Sequence, residues 1–159
     1  MPKTLEITTP TDREIEMRRS FAAPPELVFD AHTVPALLKR WYGPPGWELL
    51  VCEIDLTPGG AWRFVGRQPG GREIGQHGMI RDVARPGKLA QTENWEDWNP
   101  GEVLVTNTFE PEGDGTLLTV TTLFPSKEVR DQLIAYGMSD GAEASYQKLD
   151  AVLSEARSQ

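Results

Sequence analysis

The sequence predicts an α+β domain in which a curved, seven-stranded antiparallel sheet wraps around one long C-terminal helix, with two short helices between strands one and two. Three observations predict it. Apolar residues alternate at period two over 14–21 and through much of 47–124. Pro-Gly and Gly-rich breaks cut the second region into short runs, as a meander requires. Beyond Phe124-Pro125 the apolar spacing lengthens to that of a helix.

The first strand is 14–21, where Ile15, Met17 and Phe21 alternate with polar neighbours and one face is buried. Two short helices follow. Pro24-Pro25 opens the first, through Ala31, and Thr33 is placed to cap the second, Val34 to Trp41. Four breaks then separate the strand runs: Thr57-Pro58-Gly59-Gly60, Gln68-Pro69-Gly70-Gly71, Arg85-Pro86-Gly87-Lys88 and Glu112-Gly113-Asp114-Gly115. In the first three, proline pre-sets the second turn position and glycine accepts the positive φ of the third, a type II turn. The runs between them are 47–56, 61–67, 72–83, 88–95, 102–110 and 116–124.

Ser126 is a candidate cap for the closing helix, whose apolar stripe is Val129, Leu133, Tyr136, Tyr146, Leu149, Val152 and Leu153. Its weak point is Gly137 to Gly141, because an interior glycine costs about 1 kcal/mol relative to alanine. A kink there, or room left for something else, explains the glycines. A seven-stranded sheet must bury one face, and the last helix is the element long enough to cover it. The space between them is filled by side chains or by a ligand; the pattern leaves both open.

Composition narrows the partners. A chain of 159 residues with 38% hydrophobic content is the size of one domain, read here as 1–159. A net charge of −8 without any Lys/Arg cluster argues against nucleic acid and anionic membranes. No apolar run approaches the ~18 residues of a membrane span. The start, MPKTLEITTP, lacks the apolar centre of a secretion signal, so a cytoplasmic protein is expected. Cys52, the single cysteine, excludes an internal disulfide; alternating with Leu50, Ile54 and Leu56, it is expected to face the core as a small hydrophobe.

Catalytic fingerprints are missing from the sequence. No Gly-x-Ser-x-Gly appears, the serines have no recognisable base, and Gly113-Asp114-Gly115 leads into a strand where no helix dipole is available for phosphate. His32 and His77 lie on different elements without metal-ligand spacing, so no metal or cofactor is expected. Glu53 and Asp55 share a strand face and could serve acid–base work or a solvated edge equally.

Several stretches, in this order and spacing, resemble one family: Arg19-Ser20-Phe21, Ala23-Pro24, Val28-Phe29, LLKRWYGP (37–44), DLTPGGAWRFV (55–65), GREIGQHG (71–78), GTLLTVTTLFPS (115–126) and GMSDGAEASYQKLDAVL (137–153). The chain resembles the homologues of the activator of heat-shock-protein ATPase, within the SRPBCC superfamily that includes START domains and birch-pollen allergens. Its strongest signature is Trp41-Tyr42-Gly43-Pro44, and Thr57 stands where the family usually has arginine. The resemblance implies a helix-grip fold enclosing a cavity suited to apolar small molecules. On that fold the expected wall is Trp41, Trp47, Trp62, Phe64, His77, Trp95, Phe109, Tyr136 and Met138, with Trp41 anchored inside and Trp47 nearer the rim.

Core packing is the alternative for the aromatics; Trp62 and Phe64 share one strand face, and Arg63, Val65 and Arg67 the other. The stretch Glu93 to Pro100, with two tryptophans and three acids, reads as a recognition loop or as an irregular hairpin. The leading expectation is a cytoplasmic binding protein, monomer or homodimer, for an apolar or aromatic small molecule. The alternatives are a co-chaperone docking to a chaperone, and a cyclase- or hydrolase-type enzyme with His77 or a cavity acid as base.

Overall fold

Alternation and turn chemistry place most elements where the sequence predicts them. The computed structural model describes residues 5–157. Its elements are β1 (Glu6–Thr8), β2 (Glu14–Phe21), α1 (Pro25–Thr33), α2 (Pro35–Trp41), β3 (Glu48–Ile54), β4 (Ala61–Arg67), β5 (Glu73–Ala84), β6 (Lys88–Trp95), β7 (Val103–Glu112), β8 (Gly115–Leu123), α3 (Lys127–Ala135) and α4 (Met138–Arg157). The strands form one open antiparallel sheet in the order β1-β2-β8-β7-β6-β5-β4-β3. With the long C-terminal helix held against this curved sheet, the architecture is helix-grip.

The structure corrects the expected pattern in several places. The sheet has eight strands among the described residues, not seven. The extra one, β1, is too short to show a period; it forms by pairing Ile7 with Met17, and the Leu5 N–H next to it donates to Glu143 on α4 at 3.0 Å. The closing helix is two helices, divided where Gly137 adopts φ +79°. Ser126 does cap α3, its hydroxyl accepting from the Val129 N–H at 3.2 Å. Thr33 caps nothing: it ends α1, donating to the Phe29 carbonyl at 3.1 Å, while Val34 is the N-cap of α2 and Pro35 its first residue.

The first two Pro-Gly turns have the expected geometry, with Gly59 at φ +85° and Gly70 at φ +100°. The third does not. Its Arg85-Pro86 bond is cis, and the Gly87 N–H closes on the Ala84 carbonyl at 2.8 Å, which puts proline third in the turn. On β3 the register slips between Leu49 and Val51. This bulge adds one residue, so Leu49 rather than Leu50 is buried opposite Gly66, while Cys52 and Ile54 regain the inner face opposite Phe64 and Trp62. Cys52 is half-buried against the core, and burial pushes its thiol up to about 11.

Ile15, Phe29, Ile80, Phe109, Leu118, Phe124 and Leu149, each at most 2% exposed, form the centre of the core. Arg19 sits among them. It occupies the inner face of β2 between Met17 and Phe21, 2% exposed, donating to Glu143 at 2.9 and 3.1 Å and to Asp150 twice at 2.9 Å. Burial opposes its charge, but the hydrogen bonds to Asp150 and Glu143 hold its pKa well above the ordinary value. This pairing clamps α4 to the strand at one end of the sheet.

Candidate functional site

The bend after α2 shapes the site. Trp41 is buried, donates its indole N–H to the Ala31 carbonyl at 2.9 Å and stacks on Tyr146 of α4 at 5.9 Å. The Ser145 hydroxyl donates to the Trp41 carbonyl at 3.0 Å and accepts from the Gly43 N–H at 3.1 Å. Together these bonds tie the bend to α4. Gly43 and Gly46 take φ +96° and +90°, and the chain turns outward into β3 with Trp47 half-buried beside Gly66.

Between the inner face of the sheet, the bend and α4 lies a cavity of about 1030 Å³. Leu49, Ile54, Trp62, Phe64, Ile80 and Leu89 line it from the sheet; Trp41, Tyr42, Met138, Ala142 and Tyr146 line it from the helices and the bend. Register explains one wall. Phe64 on β4 pairs with Gln76 on β5, and Gln76 with Trp95 on β6, so the three side chains form a row on one face. Tyr42 meets Phe64 edge-on at 5.1 Å.

Within this aromatic wall is a short polar chain. The Tyr42 hydroxyl donates to Gln76 Oε1 at 3.1 Å, and Gln76 Nε2 donates to Glu93 Oε1 at 2.7 Å. Glu93 has no further hydrogen bond or ion pair among the described residues. Glu93 is half-buried on the lining of the hollow, and burial pushes its pKa up to about 7. His32, also on the lining, is the second unusual group. Its Nδ1 is 2.8 Å from the Val28 carbonyl, so Nδ1 carries the proton and Nε2 is an acceptor, buried and without a partner. Burial lowers its pKa to about 4, so the ring is neutral.

Residues 22–154 match the family described as activator of Hsp90 ATPase homolog 1-like protein. The chain belongs to this family. It lies within the SRPBCC superfamily, and membership supports a ligand-binding or co-chaperone-like role in general. A crystal structure of a protein from Rhodobacter sphaeroides is 33% identical, with TM-score 0.88 over 94% of this chain and 98% of the other. A crystal structure of protein Ms6760 from Mycobacterium smegmatis is 25% identical, with TM-score 0.85 over 95% and 98% of the two chains. CalU16 from Micromonospora echinospora shares the fold at 23% identity, with TM-score 0.63 over 96% and 85%. No curated protein matches the chain.

On this family member's fold, Trp41, Trp47, Trp62, Phe64, Trp95, Tyr136 and Met138 all border the cavity. Tyr136 does so from outside: it ends α3 and is 83% exposed. Two expected wall residues lie elsewhere. His77 pairs with Arg63 on the outer face, its Nδ1 3.3 Å from Glu96 Oε2, because its neighbours Gln76 and Gly78 take the inward positions of β5. Phe109 is buried under α1 against Phe29 at 5.4 Å and His32 at 5.2 Å, where helix and sheet close together and leave no hollow. The Glu93–Pro100 stretch divides between strand and loop, with Glu93 and Trp95 inward on β6, Glu96 outward on Arg63, and Trp98 at the rim.

Sequence reasoning missed Glu93, Gln76 and His32 as inward groups. The signal was present for two of them. Leu89, Gln91, Glu93 and Trp95 share one strand parity, as do Ile74, Gln76 and Gly78.

Proposed function

We propose that this protein binds an apolar, ring-containing small molecule between its sheet and its C-terminal helix. One observation carries the reading: a cavity of about 1030 Å³ with many aromatic and aliphatic side chains on its wall and a hydrogen-bonded polar chain, Tyr42–Gln76–Glu93, among them. Removing about 300 Å² of apolar ligand surface from water contributes about 7 kcal/mol before the entropy of association is subtracted. The polar chain then sets orientation. Nothing in the cavity resembles a partnered nucleophile, so binding is favoured over turnover. A single cysteine, half-buried and reduced, suits a cytoplasmic setting.

Gly141→Leu tests this. A Cβ at Gly141 meets Pro44 Cγ at 3.5 Å, an ordinary contact, and the position borders the cavity. The substitution is expected to keep the fold and to project a bulky side chain into the hollow at the bend. Uptake of 9-anthracenemethanol, followed by its fluorescence, should weaken by at least about tenfold while the melting temperature holds. Equal uptake by both proteins would refute binding in this cavity. Gly137 is unsuitable for the purpose, since its φ of +79° strains any side chain.

Chaperone docking is the second reading, favoured by the exposure of Tyr136 at the cavity rim. It requires that the protein stimulate an Hsp90-type ATPase and that Tyr136→Ala abolish the stimulation; no stimulation by the unmodified protein sets it aside.

A further inference from the structure

Two unpartnered polar atoms among the cavity-lining residues are hydrogen-bond acceptors, one on His32 and one on Glu93. His32 Nε2 is an acceptor because Nδ1 is committed to the Val28 carbonyl. Glu93 Oε1 already accepts from Gln76, and its second oxygen has no protein donor. No arginine or lysine reaches the carboxylate; among the described residues Arg72 is the only such side chain on the lining, and it is exposed. A half-buried carboxylate without a counter-charge is costly, and a cationic ligand group would relieve that cost. Aromatic side chains share this part of the wall: Tyr42 is joined to Glu93 through Gln76, and Trp95 lies two residues along β6 on the same face. Aromatic rings beside an anion favour an ammonium group, and the chain's net charge of −8 repels anions approaching the cavity mouth.

Resting on the binding reading above, we propose that the ligand is a ring-bearing amine, its ammonium group held by the Glu93 carboxylate beside Tyr42 and Trp95. Carboxylate-bearing molecules of the same shape are excluded by the same charge.

Proton linkage follows from the groups around Glu93. Those on the cavity lining are His32 from α1, Tyr42 after α2 and Tyr146 from α4, with Cys52 of β3 packed against the core nearby and Glu48, Arg72 and Asp97 exposed at the mouth. β7 and β8 contribute only the neutral Asn107 and Thr122 as polar groups. His32 is neutral above about 4, Cys52 and Tyr146 are pushed up to about 11 and about 12 by burial, and Tyr42 is pushed further up. Glu93 is therefore the deep group whose charge changes near neutrality.

The experiment compares three anthracenes of matched shape, 9-aminomethylanthracene, 9-anthracenemethanol and anthracene-9-carboxylic acid, by titration calorimetry on the full chain. At about pH 8 the amine should bind at least about tenfold more tightly than the alcohol, and the acid most weakly. The amine's advantage over the alcohol should shrink towards about pH 5.5, and Glu93→Gln should abolish that advantage. An alcohol or acid that binds as well as the amine in the unmodified protein overturns the amine proposal and leaves the binding reading standing. An amine preference that survives Glu93→Gln overturns it too. Binding of none of the three overturns both.

Discussion

Glu93 should make the protein less stable as pH rises, and Glu93→Gln should remove that dependence. The folded carboxyl is pushed from its ordinary 4.5 to about 7 by burial. At about 1.4 kcal/mol per pH unit, the difference corresponds to about 3 kcal/mol. The sign follows from proton counting. Between those two values the folded chain keeps the proton and the unfolded chain has lost it, so stability falls as pH rises through the window. The penalty is absent below the lower value and complete above the upper one. Because Glu93 is only half-buried, solvent screening removes part of it, and the expected range is about 1–3 kcal/mol.

Glutamine keeps the size and can still accept from Gln76 Nε2, but it never ionises. His32 complicates any single curve: lowered to about 4, it contributes stability that rises with pH up to its ordinary value of 6.5, the opposite slope. The informative quantity is therefore the difference between the two proteins. Urea unfolding followed by tryptophan fluorescence should show near-equal stability at about pH 4 and the variant ahead by about 1–3 kcal/mol at about pH 8. That lead corresponds to about 3–10 °C in Tm for a chain of this size. A difference that does not change with pH would refute the burial of an ionisable Glu93.

Arg19→Met should destabilise the fold by about 3 kcal/mol, because it removes a buried cation and leaves Glu143 and Asp150 facing apolar surface; chemical denaturation measures it. An effect below about 0.5 kcal/mol would mean that the pair is solvated. Gly78→Ala should prove more severe than any surface change, since a Cβ there runs into the Thr92 carbonyl and approaches Trp62 Nε1 at 2.8 Å, displacing the indole from its hydrogen bond to that carbonyl. Loss of cooperative melting by circular dichroism is the expected outcome, and a native-like transition would contradict the close approach. Ser126→Ala should cost about 1 kcal/mol by thermal melting, through the lost cap on α3.

Local chemistry carries far into this fold. The alternation of Ile15, Met17 and Phe21 names β2 to the residue, and the Pro-Gly turns fix the ends of β4 and place β5 to within one residue. Parity alone also separates Trp62 and Phe64, which face inward, from Arg63 and Arg67, which face water. The same parity turns Gln76 inward and His77 outward on β5.

Other features needed the third dimension. The slip at Leu49 depends on how β3 meets β4, and no period of two contains it. Arg19 breaks an apolar face in the sequence, yet its partners stand 124 and 131 residues away, so its burial becomes intelligible only when α4 lies across β2. The break at Gly137 is local and legible; where α4 then lies is not.

What the sequence by itself determined is therefore the order of elements and the inward face of each strand, because these follow from steric and solvation preferences a few residues wide. What only the tertiary structure decided is where the inward faces fail to meet. A cavity is a difference between the curvature of the sheet and the reach of the helices across it. That difference leaves Trp62, Phe64 and Glu93 facing a hollow while it presses Phe109 against α1.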